Sequence, residues 1–255
     1  MRWHEALLIA VGEVNKDRSP YASKHAIRDV RARRQANLEF LKSCDLENRE
    51  TGERIDLISK VMGSISNPEI RRMELMNTIA GIERYAAAEG DVGMFITLTT
   101  PSKYHPTRQV GKGENKTVQL NHGWNETAFT PKDGQRYLCR IWSLIRTAFK
   151  DNDLEVYGMR VVEPHHDGTP HWHMMMFCKP GQRKAINEIM RRYALKEDGH
   201  EKGAAKQRFE SRHLNQGGAA GYIAKYIAKN IDGYALDGQL DHDTGKPLKD
   251  TAAAV

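Results

Sequence analysis

Two tyrosines four residues apart, each followed three places later by a lysine, stand in GYIAKYIAKN: Tyr222, Lys225, Tyr226 and Lys229. On a helix this spacing sets the phenols nearly above one another, with the lysines as an adjacent ridge. A phenol ionises near pH 10, so it attacks poorly at neutral pH unless cations or a metal-polarised electrophile assist it. Lysines give the first kind of help. Ligands for the second kind stand in HWHMMMF, where His171 and His173 are two apart. On a strand they project from one face, while Trp172, Met174 and Met176 point to the other. Glu163 closes the preceding apolar run and comes beside them if the two runs pair as a hairpin. Two imidazoles and one carboxylate leave coordination positions open, as a catalytic site requires and a structural site does not. His165 and His166, in the connection, are alternative third ligands. Each group also has an ordinary use: histidines as a polar strand face, tyrosines and isoleucines as the buried stripe of a helix with its lysines in water.

The elements that must hold these residues follow from periodicity and punctuation. MFITLTT, after Gly93, is a strand closed by Pro101. Thr130, Pro131 and Asp133 start a helix in the manner of a capping box, and Leu138, Ile141, Trp142, Ile145 and Phe149 form its apolar stripe. EVYGMRVVEPHHDGTPHWHMMMFC then reads as two antiparallel strands around Asp167-Gly168 and Pro170. GQRKAINEIMRRYAL is a helix, RFESRHLN a strand, and GGAAGYIAKYIAKN a closing helix. The order β-α-β-β-α-β predicts an α+β fold, a ferredoxin-like antiparallel sheet with one face left open for a ligand. Residues 1–92 read as a helical extension with polar connections. Its clearest helix runs from the Asn67 cap and Pro68 to Gly90, and a second, unusually basic one lies in SPYASKHAIRDVRARRQANLEFLKS. From Ser102 to Thr130 a long polar stretch with Lys103 and Arg108 is expected to be a flap or an unstructured segment. The tail, 236–255, ends in alanines with no terminator, which suggests a piece of a longer protein.

Composition narrows the class. Cys44, Cys139 and Cys178 stand apart and odd in number, against a disulfide framework. No run approaches the length of a membrane span and no signal peptide opens the chain, so a cytoplasmic protein is expected, with no membrane partner. The formal net charge is +6, and residues 179–230 hold 12 Lys/Arg against 5 Asp/Glu. Positive charge gathered around the tyrosine repeat favours a phosphate-rich partner, although a solvated surface explains charge equally well.

Taken together the groups suit a DNA phosphodiester. A tyrosine oxygen attacks phosphorus, positive charge steadies the non-bridging oxygens, and a free 3′ hydroxyl leaves. A second tyrosine can then cut while the first still holds a DNA end. In this combination the chain resembles the HUH endonuclease superfamily, and most closely the replication gene A proteins of tailed phages. FITLTT, the Glu163-x7-His171-x-His173 set and the Tyr222-x3-Tyr226 helix match in order across residues 95–230. The resemblance implies a catalytic domain over 93–235 and Mg or Mn held by His171, His173 and Glu163. It also implies a 5′ phosphotyrosine link through Tyr222 and Tyr226, assisted by Lys225 and Lys229. The substrate would be single-stranded DNA at a replication origin, cut to start rolling-circle replication of a phage in the host cytoplasm, with a host helicase as a further partner. Thr97, Thr99, Lys103, Arg108 and Arg212 would contact the DNA, and Trp124 or Tyr104 would stack on bases. Three rival readings remain: a transposase of the same superfamily, a non-catalytic single-stranded DNA-binding module, and a hydrolase that activates water.

Overall fold

The computed structural model describes residues 2–14, 19, 22–111, 117–125, 127–165, 167–214, 221, 223 and 231. The chain divides into two compact units, Met1–Thr78 with Ile227–Val255, and Ile79–Tyr226. The first holds α1 (Arg2–Ala10) and α2 (Lys24–Lys42), then a hairpin of β1 (Asp45–Glu47) and β2 (Arg54–Asp56), then α3 (Leu57–Met62) and the start of α4 (Pro68–Glu89). Ser23 caps α2 by accepting from the Ala26 amide, while its own amide and hydroxyl donate to Glu5. Beyond Ile27 the helix buries no described side chain, in keeping with its arginines. Asn67 accepts from the Glu69 amide at the head of α4, and Gly90 ends that segment at φ 70°. The β1–β2 hairpin departs from the all-helical expectation. Its strands are three residues long and mostly exposed, so no alternation of apolar and polar residues announces them.

The second unit is built on four strands. β3 (Val92–Thr99), β6 (Tyr157–Pro164), β7 (Pro170–Cys178) and β8 (Phe209–Leu214) form one sheet in the order β6-β7-β3-β8, every neighbouring pair antiparallel. α5 (Pro131–Asp151) lies between β3 and β6 in sequence, α6 (Arg183–Ala194) between β7 and β8, and a short α7 (Ala204–Gln207) precedes β8. Helices with an antiparallel sheet are the α+β class expected. The capping box of α5 is present: Thr130 accepts from the Asp133 amide and Asp133 accepts from the Thr130 amide. Leu138, Ile141, Ile145 and Phe149 from α5 and Ile186 and Met190 from α6 meet Ile96, Leu98, Trp172 and Met174 of the sheet in one buried cluster. That stripe recurs every three or four residues, so one side of each helix covers one face of the sheet. Gly158 keeps β6 close to β7, because at φ 148° an added Cβ would stand 1.9 Å from the Met175 carbonyl oxygen.

The stretch from Ser102 to Thr130 is more ordered than expected. It holds a 3-10 turn, Ser102–Tyr104, and a two-stranded hairpin of β4 (Thr107–Val110) and β5 (Thr117–Leu120). The turn is fixed by charge. Lys103 binds Glu197 and Asp198, Ser102 donates to Glu201, and the buried Arg208 donates to Glu201 and to the carbonyls of Glu197 and Asp198. The three cysteines are free, and no helix among the described residues is long and apolar enough to cross a membrane.

Candidate metal centre

Register decides which side chains meet. Glu163 pairs with His171, and His173 pairs with Val161 on one side and Thr97 on the other, while Thr99 pairs with His171. Directly paired residues in antiparallel strands share a face, so Thr97, Thr99, Glu163, His171 and His173 share the face away from α5 and α6. His173 Nε2 lies 2.8 Å from His171 Nε2 and 3.0 Å from Glu163 Oε2, and His171 Nε2 lies 3.5 Å from the same oxygen. Glu163, His171 and His173 form a group whose ligand atoms all lie within 4.8 Å of one another. His165 lies outside that group.

The three converging side chains are themselves buried. Glu163 is 4% exposed, His173 6% and His171 9%, and every residue of β7 is buried. The rest of the same face is more exposed: Thr97 and Thr99 are half-buried, and Glu210 and Arg212, paired with Thr97 and Phe95, are exposed. Phe95 stacks on His173 at 5.5 Å, and His165 lies against His171 at 4.0 Å.

One tautomer of His173 suits a cation. The Thr97 hydroxyl is 3.2 Å from His173 Nδ1. With the proton on Nδ1 donated to Thr97, the Nε2 lone pair is left for a cation. Three lone-pair atoms turned toward one buried point repel one another unless a proton or a cation lies between them. The donor set fits a divalent cation. Two nitrogens and one oxygen suit Mn better than Mg, which prefers oxygen ligands.

A second polar cluster adjoins the first. His105 Nδ1 donates to Asp167 Oδ2 at 3.0 Å, Thr100 Oγ1 lies 3.1 Å from His105 Nε2, and the Thr169 amide donates to Asp167 Oδ1. Burial works against the Asp167 charge, but the His105 bond, then the His105 charge, outweigh it and hold the carboxyl down at about 2. Burial, then the His171 and His105 rings, keep His165 well below the usual histidine range, so it is neutral at pH 7. Sequence reasoning missed His105, which lies 62 positions before its partner Asp167; no local spacing signals such a pair.

The expected DNA contacts fall in different settings. Arg108 is exposed on β4. Arg212 is exposed on β8 and donates to Glu210. Lys103 already neutralises two carboxylates; burial opposes its charge, yet the bonds to Glu197 and Asp198 raise it to about 12. Tyr104 packs its ring on Phe129 and Tyr137. Trp124 donates from Nε1 to the Phe129 carbonyl. Tyr222, Lys225, Tyr226 and Lys229 lie outside the described residues, as does His166. Between the tyrosines, Ile223 is helical and fully buried.

The family model described as bacteriophage replication gene A protein (GPA) matches residues 1–234. The chain is 89% identical over 255 residues to the replication gene A protein of Escherichia phage P2, covering 100% of this chain and 34% of that one. It is 48% identical over 258 residues to the replication gene A protein of Escherichia phage 186, covering 99% and 36%. A probable replication endonuclease from a prophage-like region of Salmonella typhimurium is 40% identical over 256 residues, covering 99% and 30%. The chain thus spans about a third of the length of the curated relatives it matches. No solved structure matches.

Proposed function

Since this chain belongs to the bacteriophage replication gene A protein family, we propose that it carries the DNA-nicking domain that initiates phage replication, acting on single-stranded DNA at the origin. The observation that carries this reading is the convergence of His171 Nε2, His173 Nε2 and Glu163 Oε2 on one buried point. We assign the catalytic domain to 93–235, with 1–92, helices with the short β1–β2 hairpin between them, as an extension. The order β6-β7-β3-β8 with helices after β3 and β7 supports a ferredoxin-like reading of the sheet. The relative named a probable replication endonuclease supports cleavage as the activity.

In this reading His171, His173 and Glu163 would hold a divalent cation, which would supply Lewis-acid stabilisation of the negative charge on the scissile phosphate. Thr97 keeps His173 in the tautomer that leaves Nε2 free. A phenol oxygen of Tyr222 or Tyr226 forms a bond to phosphorus and loses its proton. The phosphorus–O3′ bond breaks, and the 3′ oxygen takes up a proton. The 5′ phosphotyrosine retains a reactive ester, and the second tyrosine serves a second cut. Lys225 and Lys229 offset the negative charge of the phosphate and the phenolate.

Incubation with end-labelled single-stranded origin DNA and Mn, followed by a denaturing gel, tests this. A covalent protein–DNA adduct is expected, and the Tyr222→Phe/Tyr226→Phe double variant should lose adduct and cleavage while keeping DNA affinity. Cleavage without any adduct would replace the tyrosine route with activated water.

A further inference from the structure

His165 lies against a proposed ligand without being one of the three converging donors. Its ring centroid is 4.0 Å from that of His171, with the planes tilted by 33°, and its other side meets His105 at 5.1 Å, edge to face. Past His171 come His173, at 4.5 Å, and Phe95, nearly parallel to His173. His105, His165, His171, His173 and Phe95 therefore make one row of rings, with the two proposed ligands inside it. The histidine end of the row is anchored. His105 bonds Asp167 at one nitrogen and meets Thr100 at the other, and Thr169 ties the same turn to the Tyr104 carbonyl.

An imidazole turns easily about its outer torsion, whose energy wells are broad. A metal site tolerates misplacement of a ligand by only about 0.5 Å or 10–20°. His173 is steadied by the Thr97 hydroxyl and by Phe95, whereas His171 has a flat ring against it. We propose that His165 is a positioning residue for the metal centre: its ring fixes the plane in which His171 presents Nε2, and the Asp167–His105 pair holds His165 in that place. The inference rests on the metal-centre reading.

His165 has a second feature, a buried Nε2 with no hydrogen-bond partner among the described residues, so ligation by His165 itself is the alternative to separate. Mn is titrated into the full chain by calorimetry and by electron paramagnetic resonance, with unfolding temperature recorded for each variant. His165→Ala should weaken Mn binding about tenfold, at the low end of outer-shell effects. His165→Phe, which keeps a flat ring and removes both nitrogens, should stay within about threefold of the parent, and Asp167→Asn should fall between the two. If His165→Ala does not fold, His165→Leu refills the volume without a flat ring and takes its place. Equal loss in the Phe and Ala variants would make His165 a ligand and overturn the proposal. Parent-like binding by His165→Ala would also overturn it, as a ring that packs without positioning. Failure of the parent chain to bind Mn would remove the metal-centre reading and this inference with it, so the two failures are told apart by the parent alone.

Discussion

Strand β7 sends Trp172, Met174 and Met176 to one face of the sheet and His171 and His173 to the other, and all five are buried. On the first face they meet the apolar stripes of α5 and α6, where burial itself stabilises, by roughly 1.5–3 kcal/mol for each large side chain. On the second, burial strips water from two imidazoles and a carboxylate, which costs free energy unless hydrogen bonds or a cation compensate. The same nine-residue strand is therefore a source of stability on one side and, in the proposed reading, a metal site on the other. Because the two sets alternate along one backbone, the ligands inherit the rigidity of the core. Trp172, between the two histidines, is pinned by its Nε1 bond to Gln135 and by the Arg160 guanidinium 3.8 Å from a ring centroid.

Substitutions can break this contrast one face at a time. Trp172→Ala should cost about 3–5 kcal/mol in urea unfolding, with or without Mn, because the loss belongs to the core. Glu163→Gln should do the reverse. It keeps the volume and removes the charge, so unfolding of the metal-free protein should move by less than about 1 kcal/mol, while Mn affinity falls about 100-fold. The rise in unfolding temperature that Mn gives the parent should then vanish. A large loss of metal-free stability in Glu163→Gln would mean that the polar face stabilises the fold directly and that the contrast is false.

What could be read in advance divides along the same line. The core face is legible, since Leu138, Ile141, Ile145 and Phe149 repeat at helical spacing and Thr130 with Asp133 mark where that helix begins. The pairing of Glu163 with His171 is legible too, because a hairpin connection fixes register locally. The burial of Glu163, His171 and His173 is not, since no local spacing announces that the His165 and Phe95 rings stand beside the histidines. Nor is the role of Thr97, a residue whose type favours a strand whether or not its hydroxyl is used, and whose partner His173 is 76 positions away. Lys103 reads as a free cation in sequence, and only the fold brings Glu197 and Asp198 to it.

The margin of the polar face is the next place to press. Asp167 is held at about 2, below the usual aspartate value of 3.8, so its charge stabilises the fold fully above pH about 4 and the contribution is lost as pH falls toward 2. The difference corresponds to on the order of 2 kcal/mol. Urea unfolding of the parent and of Asp167→Asn should therefore diverge by that amount at pH 7 and converge between pH 4 and pH 2. A gap that stays constant with pH would assign the effect of Asp167 to its shape and its bond to the Thr169 amide.

The smallest effect isolates one hydroxyl. Thr97→Val keeps the β-branched shape that suits β3, so stability should move by less than about 0.5 kcal/mol. It removes the hydroxyl 3.2 Å from His173 Nδ1, which in the proposed tautomer accepts that nitrogen's proton; without it the proton is free to move to Nε2, where it would block a cation. Mn affinity should then fall about tenfold, or about 1.4 kcal/mol, by calorimetry. The same variant separates the two uses of this residue. If Thr97 contacts DNA directly, metal-free binding of single-stranded origin DNA weakens; if it acts through His173, DNA binding without metal is unchanged and only the Mn-dependent steps suffer. Loss of neither would leave Thr97 as a strand former alone and would require another group to set the tautomer of His173.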